Sequence, residues 1–544
     1  FNYRKMKKSI VSLIILCAFT TLYMTSCSNE EDGGNNRNIG ASVEHIVTFT
    51  GGGERRTTNE KILGVTRTSI SYTQGKNATA LWSTGDKIWV KDNAGNFIQS
   101  TAGVFSSDLK LGKFTLSGLF PTTTQVSYTG RSGTSGTTVT ISANQTQSAA
   151  NDFSHVGEVG DCGIATAMAS SYGNYAFTLD HKSTYLCLLP RSTNNLIRDF
   201  VIQDVTIIAD HDISGDFTLS ASGLSANAVA NGSKSIKVTV PNLPLANATN
   251  ASANAIYVVM APQTTALNIV YHLYNPALNF SGTITKNIAV QTYNAGEIHD
   301  ITANLGNDYT EEQKPYFWDA KKWLYDGQAE PYNMSAYSYP ANPMWPQSKT
   351  VDPDRWFNDE NPAVAKNSCK DCPTGYQMTW YITHYPYFDA EELWTAEGKL
   401  YKGVLRMRKW NTLVADFGAS KTAVPTSVPS GNAWEAYPGV PNANNFGIDM
   451  GIPTPSDMTK YFALPAAYSS VAVQKDSRAG KYANIVDDYN SYWASTTRTD
   501  GRLYHGNLSA CYLTCRPGEN YLWVSSGDYI ERERGSARFA VKFQ

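Results

Sequence analysis

The sequence predicts a mainly β protein: stacked β-sandwiches in the first half, then an α+β second half. Three observations carry this. Short runs of β-branched or alternating residues recur between turn residues before residue 306, the pattern of half-buried strands. Of 12 tryptophans only Trp82 and Trp89 precede residue 312, so the two halves differ in composition. Charged residues make up 17%, below the roughly 25% of an average globular chain, and the net charge is -2. That balance gives no basic face for nucleic acid. The 42% hydrophobic content argues against disorder.

The elements follow in chain order. Translation is expected to start at Met6, with Lys7-Lys8 before an apolar run from Ile10 to Phe19. A cationic start, a short apolar run and small residues after it make a secretory signal. Met24-Thr25-Ser26-Cys27 resembles a lipobox, which implies acylation at Cys27 and a signal over residues 1–27. The acidic run Ser28 to Asp32 resembles the surface-export signal of lipoproteins in the Bacteroides group. It opens a polar tether over residues 28–43.

Strand runs follow at Ile46 to Thr50, Lys87 to Lys91, Lys113 to Leu116, Thr137 to Ile141, Tyr185 to Leu189 and Val201 to Ile208. More come at Ile236 to Val240, Ile256 to Met260, Ile269 to His272, Thr283 to Val290 and Ile298 to Thr302. Turns are expected at Asp92-Asn93-Ala94-Gly95, Ser214-Gly215-Asp216 and Asn294-Ala295-Gly296. The polar stretch 307–315 reads as a linker. Beyond it, Asp389 to Gly398 reads as a helix with an N-cap, an acidic first turn and a glycine stop.

Candidate chemistry is sparse. None of the 8 histidines forms a ligand pair, and no nucleophile elbow or phosphate loop occurs. Asp210 to Asp216 imitates a calcium loop, but the twelfth position is Ala221, so it reads as a polar turn. Cys162, Cys187, Cys369, Cys372, Cys511 and Cys515 leave three readings open: disulfides, free buried thiols, or zinc on the last four. The acidic segment Asp352 to Glu360 offers carboxylates to calcium or to sugar hydroxyls. Glu330-Pro331-Tyr332-Asn333 only approaches a calcium-lectin signature. Tryptophans stack on sugars or anchor interfaces, but also fill cores. Trp493 reads as core. Trp345, Trp356 and Trp523, among polar or proline-rich neighbours, are the ligand-face candidates. No cofactor or catalytic group is assigned.

Thr66-Arg67-Thr68, Leu81 to Val90, Leu179-Asp180-His181-Lys182, Ile213 to Phe217 and Tyr293 to Ile298 together resemble fimbrillin-type pilins. The resemblance implies two transthyretin-like β-sandwiches, over residues 44–180 and 181–306. Cys372-Pro373-Thr374-Gly375-Tyr376, Leu464-Pro465-Ala466 and Ser491 to Thr496 resemble FISUMP-type domains. That implies a C-type-lectin-like fold over residues 316–544, with Tyr376-Gln377 in place of Trp-Arg.

The resemblance implies a surface-exported lipoprotein precursor of a pilus subunit, held in the outer membrane by lipid on Cys27 before processing. An Arg-specific protease would cut at Arg67, Arg56 or Arg55, Arg67 first, and release the Glu44 to Thr50 strand. Another pilus subunit would fill the vacated groove by strand exchange. With more than two hundred residues after its last sandwich strand, the chain fits a fibre tip that accepts a strand and donates none. Its second half would bind a host or microbial surface ligand such as a glycan. The rival expectations are a non-polymerising surface glycan-binding lipoprotein and an enzyme acting on polysaccharide.

Overall fold

The structure is a computed structural model. It describes residues 45–52, 69–74, 78–170, 173–328, 346–396, 398–426, 443–445, 447–466, 472–476, 481–485, 490–497, 508–516, 521–525, 531–533 and 536–538.

The protein is mainly β, built of several stacked sheets. The apolar runs read from the sequence lie in or overlap strands. In the first strands the inward side chains Val47, Phe49, Phe114 and Leu116 alternate with polar residues facing out.

The first sheet contains β1 (Ile46–Gly51), β2 (Gly112–Ser117), β3 (Thr123–Tyr128), β4 (Gly163–Ala169) and β5 (Asn174–Phe177). Its central order is β3-β4-β5-β1-β2, so the first strand is flanked on both sides. Its core holds Phe49, Trp82, Phe114, Val126 and Phe177.

The next strands are β6 (Thr184–Arg191), β7 (Val201–Ala209), β8 (Ser235–Pro244), β9 (Ile256–Met260), β10 (Gln263–Asn275), β11 (Phe280–Tyr293) and β12 (Ile298–Asn304). One sheet runs β8-β7-β10-β11, and a second runs β9-β6-β12. Ile202, Val205, Ile207, Ile236, Ile269 and Leu188 pack between them. The blocks either side of residue 180 are not sealed off from each other. Asn144–Thr146 pairs with β8, and Thr138–Ile141 pairs with Ser214–Ser220. Ser214-Gly215-Asp216, expected as a turn, opens a strand. Gly215 at φ +125° sits at a bulge there, where the ladder register shifts.

The expected helix at Asp389 to Gly398 is instead a β-hairpin, β13 (Tyr387–Ala396) with β14 (Lys399–Arg408). The Asp389 carboxylate does accept the Glu391 N–H, at 3.1 Å, as an N-cap would, but it does so at a strand bulge. Gly398, at φ +67°, turns the hairpin. Tertiary burial overrides the local signals. Trp394 is fully buried, stacks on Tyr401 at 4.3 Å and donates its indole N–H to the Gly403 carbonyl at 2.8 Å.

This hairpin extends the β8-β7-β10-β11 sheet through the pair Thr283 and Glu392. Leu393 and Leu400 belong to the sandwich core. At Gly282 a Cβ would come within 2.5 Å of the Leu393 side chain, so the two strands meet where there is no side chain. The stretch read as a linker makes hydrogen bonds as well. Tyr309 donates its N–H to the Thr395 carbonyl at 2.8 Å, and the Gln313 side chain donates to the Tyr492 hydroxyl at 2.8 Å.

The remaining described residues include α1 (Gly375–Thr383) and a sheet that contains Asn490–Thr497, Ala510–Arg516 and Tyr521–Ser525. A capping box starts α1. Thr374 Oγ1 accepts the Gln377 N–H at 3.1 Å, and Gln377 Oε1 accepts the Thr374 N–H at 2.9 Å. Asp319, buried at φ +54°, organises the neighbouring loop. Its carboxylate accepts the backbone N–H groups of Lys366 (2.8 Å), Asn367 (2.7 Å) and Cys369 (3.2 Å).

Candidate functional site

The site is the cradle around β1. Val47, Phe49 and Gly51 face the core, while Thr48 and Thr50 face outward and are half-buried. On one edge β1 pairs in parallel with β5, Phe49 opposite Tyr175. On the other it pairs antiparallel with β2, Phe49 opposite Phe114. Both edges of the strand are therefore hydrogen-bonded.

Three side-chain contacts set its register. The Phe49 ring lies flat on Tyr175, 4.4 Å between centroids, and meets Phe120 edge-on at 5.3 Å. The Tyr175 hydroxyl donates to the Phe120 carbonyl at 3.0 Å, which fixes the ring that Phe49 rests on. At Gly51 a Cβ would sit 2.5 Å from Phe177 Cζ, so the Phe177 ring lies directly on the β1 backbone. A one-residue slip would turn Phe49 out to solvent. Fully burying a phenylalanine is worth about 2–3 kcal/mol. Without β1, Tyr175, Phe177, Phe114 and Leu116 would line an open apolar slot between two strand edges.

The sequence-derived residues are scattered. Cys27, Arg55, Arg56, Arg67 and Trp345 lie outside the described residues, the three arginines in the stretch that follows β1. Trp356 and Trp523 are both half-buried and belong to different clusters. Trp356 packs edge-on against Phe317 at 5.9 Å, and Trp523 meets Tyr512 at 5.8 Å.

The carboxylates of Asp352 to Glu360 are already answered by cations. Asp352 pairs with Arg355, Asp354 with Lys321 (3.2 Å), Asp359 with Lys349 (2.8 Å) and Glu360 with Lys366 (2.6 Å). Among the described residues Cys162, Cys187, Cys369 and Cys515 are buried free thiols, and Cys372 and Cys511 are buried as well. Burial pushes the Cys162 thiol up to about 12 and raises Cys187 and Cys515 as well. Among the described residues no group of three or more His, Cys, Asp or Glu could hold a metal ion.

Sequence reading found β1 and, as the run Lys113 to Leu116, the β2 wall of its cradle, but not the β5 wall. Tyr175 and Phe177 lie more than 120 residues away in a four-residue strand whose alternation is too short to register.

No family model and no curated protein matches the chain. Among solved structures it is similar to a candidate cell adhesion protein from Bacteroides fragilis. Identity is 9% and the TM-score 0.29, over 48% of this chain and 93% of that one. It is similar to another candidate cell adhesion protein, from Bacteroides uniformis, at 15% identity and TM-score 0.28, over 44% and 93%. A fimbrial protein from Bacteroides ovatus gives 13% identity and TM-score 0.21, over 51% and 56%.

Proposed function

We propose that the chain is the precursor of a surface pilus subunit that accepts a strand from a neighbouring subunit and presents its second half to a ligand. The observation that carries this is the position of β1. It is the first described strand, yet it lies inside the first sheet with partners on both edges. The chain leaves it at Gly52 and next enters a described strand at Ser69. Cleavage at Arg55, Arg56 or Arg67 in that interval would cut the covalent tie while the ladder still holds the strand. An incoming strand could then replace it bond for bond.

The other end of the sandwich supports a subunit that does not donate. β12 pairs in parallel with β6 along its length, then runs into buried Leu305 and the fastened Tyr309. Releasing it would pull on the docked second half. The export signal and acylated Cys27 complete the reading, delivering the precursor to the outer membrane before processing.

The test uses the full chain. An Arg-specific protease is applied, and a labelled peptide of residues 45–52 is offered. Mass spectrometry should find the peptide bound only after cleavage, and not in a variant with Arg55, Arg56 and Arg67 all changed to Lys. A cleaved chain that keeps its own β1 and takes up no peptide overturns the reading.

A further inference from the structure

Tyr385 has an unusual backbone for a bulky residue. It sits at φ +55° and immediately precedes Pro386. The left-handed region is sterically costly for a side chain of this size. Such strain normally persists where something over-determines it, and it clusters at functional positions. Here burial of the ring is not the compensation, because Tyr385 is 43% exposed.

The surroundings hold that ring still. The Arg408 guanidinium lies 5.8 Å from the Tyr385 ring centre, 5.4 Å from Phe417 and 5.3 Å from Tyr461. Three rings thus pack around one cation, which restricts all four side chains. Each has its own anchor. Arg408 ends β14 and pairs in register with Tyr461, the first residue of β15 (Tyr461–Pro465). Phe417 ends α2 (Trp410–Phe417) and packs on His384 at 4.6 Å. Tyr387 extends the aromatic surface, edge-on to Tyr461 at 5.6 Å.

Two ion pairs stand beside the rings. Arg408 Nη1 donates to Asp416 Oδ2 at 3.0 Å, and that carboxylate is still 45% exposed. Lys460 pairs with Asp457 at 2.7 Å. A phosphate, a nucleic acid or a strongly acidic ligand would have to break these pairs. A neutral polyol would not. Its hydroxyls can share the free lone pairs of Asp416 and the donors of Arg408 and Lys460, while its C–H face lies on an aromatic ring.

From this geometry we infer that Tyr385, backed by Arg408, Phe417 and Tyr461, is a stacking platform for a neutral pyranose, with Asp416 accepting sugar hydroxyls. The inference rests on the ligand-presenting part of the proposed function and moves the ligand face away from the tryptophans.

Saturation-transfer NMR on the full chain tests it, with methyl β-D-galactopyranoside, methyl β-D-glucopyranoside and a β-galactan as probes. At least one should show transfer concentrated on its ring C–H protons. Tyr385→Asn should reduce that binding tenfold or more. Because asparagine tolerates φ near +55°, the melting temperature should hold or rise. Tyr385→Phe should retain most of the binding. No transfer to any probe overturns the inference, as does unchanged binding in Tyr385→Asn. A fall of several degrees in that variant also overturns it, since the ring's contacts with Arg408 and Phe417 would then be what compensates the backbone. Sugar binding without strand uptake would sink the acceptor reading and leave this one standing. Adhesion to cells that Tyr385→Asn does not alter would do the reverse.

Discussion

The Glu392 carboxylate, on the first strand of the second-half hairpin, accepts the backbone N–H of Thr285, on the last long sandwich strand, at 3.0 Å. A strand edge is thereby closed by a side chain, beyond the pair Thr283 and Glu392 where the ladder itself stops. The carboxylate is buried, and Arg406 stands 3.6 Å away.

This contact makes the junction sensitive to pH. Burial pushes Glu392 up to about 7, against the opposing pull of Arg406. The folded chain therefore holds a proton between roughly pH 4.5 and 7 that the unfolded chain has released. The resulting stability is complete below about pH 4.5 and is lost as pH rises through 7. Glu392→Gln should match the wild type near pH 4.5 and exceed it at pH 8 by about 3 kcal/mol. Denaturant melts across that range check it; parallel curves would show that Glu392 does not titrate there. His155 and His384, lowered by burial, act oppositely in acid, but equally in both proteins.

Phe49→Ala should destabilise the first sheet by about 3–5 kcal/mol, as expected for a fully buried phenylalanine. Thr48→Ser, on the outward face, should stay within about 0.5 kcal/mol. Hydrogen exchange at β5 and β2 would report the loss. Unchanged protection there would mean that β1 does not hold the cradle shut.

Asp319→Ala leaves three backbone N–H groups without their carboxylate. The expected loss is about 3 kcal/mol or more, with the loop 366–369 the first to exchange. A loss under about 1 kcal/mol would mean that solvent replaces the carboxylate freely.

Cys162, Cys187, Cys369 and Cys515, which are buried, should resist a bulky aromatic disulfide reagent in the folded chain and react in denaturant. The full chain has 8 cysteines, so fewer than eight reactive thiols in the unfolded, unacylated chain without reductant would reveal a disulfide.

Strands were legible wherever the two-residue period ran long enough, as from Val201 to Ile208. The hairpin at residues 387–408 was not, because Asp389, two glutamates and Gly398 serve a strand bulge and turn as well as a helix. The cradle was half legible. Val47 and Phe49 announce an inward face, but parallel pairing with β5 is a long-range contact with no local signature. Trp493, read as core, is fully buried, as are Trp318 and Trp394, and their bulk fills the interior. Nothing in His384-Tyr385-Pro386 warns of a left-handed tyrosine, because the residues that usually mark that conformation are glycine and asparagine.

The placement of β1 also decides how the first sheet meets mechanical load. Ladder hydrogen bonds lie across a strand, perpendicular to it in the antiparallel pairing and slanted in the parallel one. Tension along β1 therefore loads the bonds to β5 and to β2 together, in shear, so they must fail nearly at once. An edge strand peeled sideways would lose its bonds one at a time, at far lower force. Whatever strand occupies that slot is a tensile joint, strongest along the direction in which it is pulled.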